Sequence, residues 1–114
     1  MRQPTEIVYR GMSPEPLLEA DVRRWTGKLD RCGIQPLDCR VTIESPSARH
    51  RQGGCEVRIE LRLPGHDLVI SEHHRGVGAR PVARRAFLAV NRQLRERVRR
   101  WRDMPMAGPA PEQS

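Results

Sequence analysis

Cys55-Glu56-Val57-Arg58-Ile59-Glu60-Leu61-Arg62-Leu63 alternates apolar and charged residues without a break. A period of two is that of a β-strand, whose side chains point to opposite faces in turn. Cys55, Val57, Ile59, Leu61 and Leu63 share one face and must be covered. Glu56, Arg58, Glu60 and Arg62 share the other, where water or charges on neighbouring strands can meet them. The run enters Pro64-Gly65-His66-Asp67, a turn composition, and leaves through Leu68-Val69-Ile70. A hairpin with one dry face follows, and something amphipathic has to pack on it.

Two segments have the required pattern. The first is a helix expected over residues 14–31, with Ser13 as N-cap, Pro14 at the first helical position, Gly33 ending it and Pro36 just beyond. Leu18, Val22, Trp25, Leu29 and Cys32 recur at helical spacing and form one apolar stripe. Glu15, Glu19 and Asp30 flank it on one side, and Arg24, Lys28 and Arg31 on the other. The second is a helix expected over residues 80–102. Ala83, Phe87, Val90, Leu94, Val98 and Trp101 form its stripe. Arg84, Arg92, Arg95, Arg99 and Arg102 lie within a quarter turn of one another beside it. Glu96 is its only acid.

The rest falls into place around these pieces. Residues 7–12 read as a first strand, 39–44 as a second, 55–63 as the third and 68–72 as the fourth. Residues 45–54 form a polar loop carrying Arg49, His50 and Arg51. Residues 73–79 read as a second loop, punctuated by Gly76 and Gly78. The Pro- and Ala-rich residues 104–114 lack an apolar period and read as a disordered tail after a single domain, 1–103. The order is β-α-β-β-β-α. This is an α+β fold, a four-stranded sheet with both helices packed on one face, since that face is the one surface able to bury two stripes.

At 114 residues the chain supports one domain. Its net charge is +7, and of 21 basic residues 20 are Arg, with Lys28 the exception. Guanidinium presents a planar donor fork that fits phosphate and stacks on bases, so the excess of cations points to a polyanion partner. A solvated charged surface is the bland alternative. It accounts for Arg in place of Lys but not for the charge imbalance. Met1–Glu6 is polar and does not read as a secretory leader. No apolar run approaches the length needed to cross a bilayer, so no membrane partner is expected. Cys32, Cys39 and Cys55 are odd in number and lack a disulfide or zinc spacing, which suits a reduced cytoplasm. Cys39 and Cys55 fall on inward strand faces and read as small buried hydrophobes. No nucleophile elbow, phosphate-binding glycine loop or zinc-binding helix motif occurs. The expectation is therefore a binding protein, with no catalysis, metal, cofactor or small-molecule substrate.

Two parallel helices, each with one basic flank, can form a cationic groove. The candidate RNA contacts are Arg24, Lys28 and Arg31 on the first helix, and Arg84, Arg92, Arg95, Arg99 and Arg102 on the second. Arg49, His50 and Arg51 are a possible second contact. Trp25 reads as core, whereas Trp101, near a helix end, could be core or a stacking platform.

Three segments resemble one known family, the ribosome hibernation promoting factors, also called ribosome-associated inhibitor A or sigma-54 modulation proteins. Ile7-Val8-Tyr9-Arg10-Gly11-Met12-Ser13 looks like the family's first strand and helix entry. Cys39–Ser45 with Arg49-His50-Arg51-Gln52-Gly53 is similar to a branch with a His-rich loop. Val57–His66 looks like the family's most recognisable stretch. Ala86-Phe87 and Arg92-Gln93-Leu94 also match that branch. The resemblance covers residues 7–102. It implies a small, short-form bacterial cytoplasmic protein, monomeric off the ribosome, that acts in the stress of starvation. Such a protein would bind the small ribosomal subunit through rRNA phosphates and block the channel for mRNA and tRNA. It would need no cofactor. A structured-RNA binder acting away from the ribosome, or a basic protein-interaction module, remains open from the residues themselves.

Overall fold

The computed structural model describes residues 1–45, 54–65 and 69–103. Its elements are β1 (Glu6–Arg10), α1 (Pro16–Leu29), β2 (Asp38–Glu44), β3 (Gly54–Arg62), β4 (Val69–Val77) and α2 (Ala79–Arg102). The expected β-α-β-β-β-α order holds. The strands form one sheet in the order β1-β2-β3-β4. β1 pairs parallel with β2, while β2–β3 and β3–β4 are antiparallel.

The alternation in β3 sets the register. Val41 stands opposite Ile59, Ile43 opposite Val57, and Ile70 opposite Leu61. All six are fully buried, with Cys39, Cys55 and Leu63 beside them. Leu18, Val22 and Leu29 from α1 and Val82, Ala83, Ala86, Phe87, Val90 and Leu94 from α2 join the same core. Both helices therefore cover one sheet face.

The opposite face is wet and paired in charge. Arg40 stands across from Glu60 and Glu56 across from Arg75. Arg62 Nε donates to the Asp38 carboxylate at 3.0 and 3.1 Å, and the His73 ring lies 2.9 Å from Glu56. Hydrogen bonding to Arg62 holds Asp38 below the usual carboxylate range, and bonding to His73 does the same for Glu56.

Two expectations need correction. β4 does not stop at residue 72; it continues through His73, His74, Arg75 and Gly76 to Val77, where it pairs with Gly54. The segment is polar on both faces, so it lacks the period that marks a half-buried strand. Pairing with β3 supplies what side-chain hydrophobicity does not. His73 points to the wet face, while His74 points to the helix side and bonds Glu72 at 2.7 Å. Gly76 passes close under α2 there: a Cβ would stand 3.1 Å from side-chain atoms of Val82 and Arg85, which would have to give way.

The start of α1 also differs. The helix begins at Pro16 with Glu15 as N-cap, two residues later than the Ser13-Pro14 reading, and the Glu15 side chain does not cap it. Both Pro14 and Pro16 suit a first helical position, so the tie is broken by tertiary contact. Tyr9 Oη donates to the Glu15 carbonyl at 3.4 Å, and Gly11 (φ +71°) turns the chain so close to Ser45 that a Cβ would lie 2.6 Å from its carbonyl oxygen. Gly33 (φ +99°) does lie in the turn after the helix, as expected.

Candidate nucleic-acid interface

The two helices run side by side in the same direction. Three contacts track this along their length: Arg80 to Asp21, Phe87 to Trp25, and Asn91 to Cys32. The Trp25 and Phe87 rings lie 5.3 Å apart at 40°. Trp25 is half-buried rather than fully so.

Asp21 was not among the residues singled out from the sequence, yet it ties the helices together. It is only 5% exposed. Its carboxylate accepts Arg80 Nε at 2.7 Å and Arg24 Nη2 at 2.9 Å. A buried carboxylate must be paired, and Arg80 satisfies it from the first turn of α2. The signal was present in the spacing: Leu18, Asp21, Trp25 and Leu29 form one helical row, with an acid in an apolar position.

The hydrogen bond from Arg80 and the charges of Arg80 and Arg24 hold the Asp21 carboxyl below the usual range, against the opposing effect of burial. A lowered folded pKa means that the unfolded chain binds more protons in acid. The Asp21 contribution is thus complete above the unfolded carboxyl pKa, near pH 4, and is lost as pH falls through the lower folded value. Asp21→Asn should lower the urea midpoint at pH 7, and the difference from wild type should shrink below about pH 4. Equal differences at pH 7 and pH 3 would rule this out.

Beyond that tie, α1 ends at Leu29 while α2 continues for several turns to Arg102. A cleft opens where α1 stops. Lys28, Arg31, Cys32, Asn91, Arg95, Val98, Arg99 and Arg102 line it. Five of these eight are cations: Lys28 from the last turn of α1, Arg31 from the turn just after it rather than from the helix as expected, because the helix stops at Leu29, and Arg95, Arg99 and Arg102 from α2. Among the described residues, none of the five is in an ion pair, in contrast to Arg24, Arg40, Arg62 and Arg80. Arg84 lies in an adjoining shallow pocket with Trp25, Lys28, Leu29, Phe87, Leu88 and Asn91.

The eight candidate cations thus divide. Lys28, Arg31, Arg95, Arg99 and Arg102 converge on one cleft, and Arg84 stands at its upper end. Arg24 is exposed but turned to Asp21, and Arg92 is exposed outside the cleft lining. Arg49, His50 and Arg51 lie outside the described residues, as does the segment 104–114. Trp101 is 37% exposed near the end of α2. Asn91 and Leu88 were not singled out from the sequence, although both share the helical row of Arg84 and Arg95.

The cysteines have separate surroundings. Burial pushes the Cys39 thiol up to about 12 and raises Cys55 as well, so neither supplies thiolate near neutral pH. Cys32 is half-buried at the cleft, with its thiol 3.3 Å from Asn91 Oδ1. Iodoacetamide should label Cys32 in the folded protein and leave Cys39 and Cys55 until denaturant is added. Mass spectrometry showing Cys39 labelled at the same rate would contradict this. Among the described residues, no group of His, Cys, Asp and Glu side chains could hold a metal ion. No helix among them is long and apolar enough to cross a membrane.

No family model matches the chain, and no curated protein sequence does. Solved structures do match. The N-terminal domain of Thermus thermophilus Protein Y has a TM-score of 0.66 at 15% identity, over 80% of this chain and 93% of that one. A ribosomal subunit interface protein from Coxiella burnetii has a TM-score of 0.60 at 16% identity, over 85% of this chain and 99% of that one. At these identities the likeness is one of fold, shared over nearly the whole length of both neighbours.

Proposed function

We propose that the chain is a ribosome-associated translation inhibitor that binds the small subunit through its interhelical cleft. The observation that carries this reading is the convergence of Lys28, Arg31, Arg95, Arg99 and Arg102, without partners among the described residues, on a fold shared with a ribosomal subunit interface protein. Unpaired guanidinium groups held side by side favour regularly spaced anions, because each phosphate bound releases a condensed counterion. The wet sheet face is a poorer candidate, since most of its cations, Arg40, Arg62 and Arg75 among them, already have an acid beside or across from them.

On this reading the protein is a cytoplasmic, monomeric binder, not an enzyme. Occupancy alone inhibits, by filling the path of mRNA and tRNA. Contacts are to backbone phosphates, because the major groove of an A-form helix is too deep and narrow for side chains to read base edges. Cosedimentation with purified ribosomal subunits tests it. The protein should travel with the small subunit at low salt and leave it at high salt. RNA binding without such a peak would support a structured-RNA binder acting elsewhere. Absence of both would support an acidic protein partner.

A further inference from the structure

The arginine row on α2 is interrupted. Arg84, Leu88, Asn91, Arg95, Arg99 and Arg102 follow spacings of four, three, four, four and three, which places them on one ridge. Leu88 stands in that ridge and is 55% exposed. A large apolar side chain among cations contributes little to solubility or to the core. Across from it, on α1, lies Trp25, half-buried and backed by Phe87. Trp25, Phe87 and Leu88 line a shallow pocket with Arg84 and Lys28 at its rim. Lys28 and Asn91 line both this pocket and the basic cleft, so the two are continuous. The Asn91 side-chain oxygen takes the Cys32 thiol, which directs its amide donors elsewhere.

We propose that this pocket takes one unstacked nucleobase of the RNA whose phosphates occupy the cleft, an inference that rests on the functional reading above. Trp25 supplies the stacking surface and Leu88 the outer wall. Arg84 and Lys28 meet the phosphates on either side of the flipped nucleotide. Asn91 lines the pocket with its oxygen taken by Cys32, and its amide donors suit a carbonyl or ring nitrogen on the base edge. The charge of the rim favours a nucleotide over a neutral apolar ligand, and the continuity with the cleft favours a base on a strand over a free one.

The test uses the full chain with Trp101→Phe, which leaves Trp25 as the one fluorescent indole. The probes are a ten-nucleotide single-stranded RNA of mixed sequence, an abasic oligomer of equal length, and heparin. The RNA should quench Trp25. The abasic oligomer and heparin should bind with a similar salt slope and without quenching. The RNA should bind about fivefold or more tightly than the abasic oligomer, as expected of one stacked base. Leu88→Ser, an exposed change that leaves the core intact, should remove that advantage and leave abasic binding unchanged.

Equal affinity for RNA and abasic oligomer overturns the base pocket while the phosphate cleft stands. So does Leu88→Ser weakening both ligands alike, or heparin quenching as strongly as RNA. An acidic peptide with an aromatic side chain that displaces RNA and quenches Trp25 would assign the pocket to a protein partner. Failure of every polyanion to bind overturns the cleft and the pocket together.

Discussion

Reversing Arg95 and Arg99 together to glutamate is expected to weaken binding to the small subunit at least tenfold and to flatten its salt dependence. Five cations in the cleft neutralising about five phosphates imply a log–log salt slope of roughly −3.5 to −4.5, at about 0.7–0.9 per contact. Between 50 and 200 mM salt, affinity should then fall by about two orders of magnitude. Losing two contacts should bring the slope down by about 1.5–2. Inhibition of translation in a purified system should decline in parallel, since occupancy is the proposed mechanism. Both residues are exposed on α2 and unpaired among the described residues, so the reversal should not disturb folding. Arg92→Glu, on the same helix but outside the cleft lining, is the internal control and should have a smaller effect. Binding that survives the double reversal but is abolished by changing Arg49, His50 and Arg51 would move the site to that loop.

The contrast between Arg92 and Arg95 shows where sequence reasoning runs out. Both lie within the basic flank of one helix, and the 3.6-residue period finds that flank without a structure. Which members of it face α1 depends on how far α2 is rotated about its axis. That rotation is set by contacts between elements distant in sequence: Asp21 with Arg80, Trp25 with Phe87, and the close pass of Val82 over Gly76. No local pattern encodes it. β3 was legible for the opposite reason. One strand with a strict alternation specifies its own faces, and its neighbours inherit the register. β4 beyond residue 72 was not, since His73, His74 and Arg75 acquire their strand conformation from Glu56, Arg58 and the β3 backbone. Asp21 was concealed by its type, because an acid in an apolar row reads as an interruption of the stripe rather than as part of the interface.

Phe87→Ala is expected to be the most damaging single change to the fold. The ring is 3% exposed and sits between α1 and the sheet core, against Trp25. Truncation removes its buried surface and leaves a cavity that rigid neighbours cannot fill, at a cost of roughly 3–5 kcal/mol. Domains of this size have total stabilities of about 5–15 kcal/mol, so much of the margin would go. With each kcal/mol worth about 4–8 °C, Tm should drop by about 12 °C or more. Trp101→Ala, at the exposed end of the same helix, should cost far less, about 0.5 kcal/mol or so. The Phe87 change should also affect binding beyond its effect on stability. Trp25 and Phe87, with the Asp21–Arg80 pair, hold α1 against α2, so loosening that contact should displace Lys28 and Arg31 relative to the α2 cations. At temperatures where the variant is still folded, affinity for the small subunit should fall while the salt slope of what remains becomes shallower, because the α1 cations no longer converge with those of α2. A folded Phe87→Ala protein that binds with wild-type affinity and slope would show that α2 makes the contact alone, with no contribution from the groove between the helices.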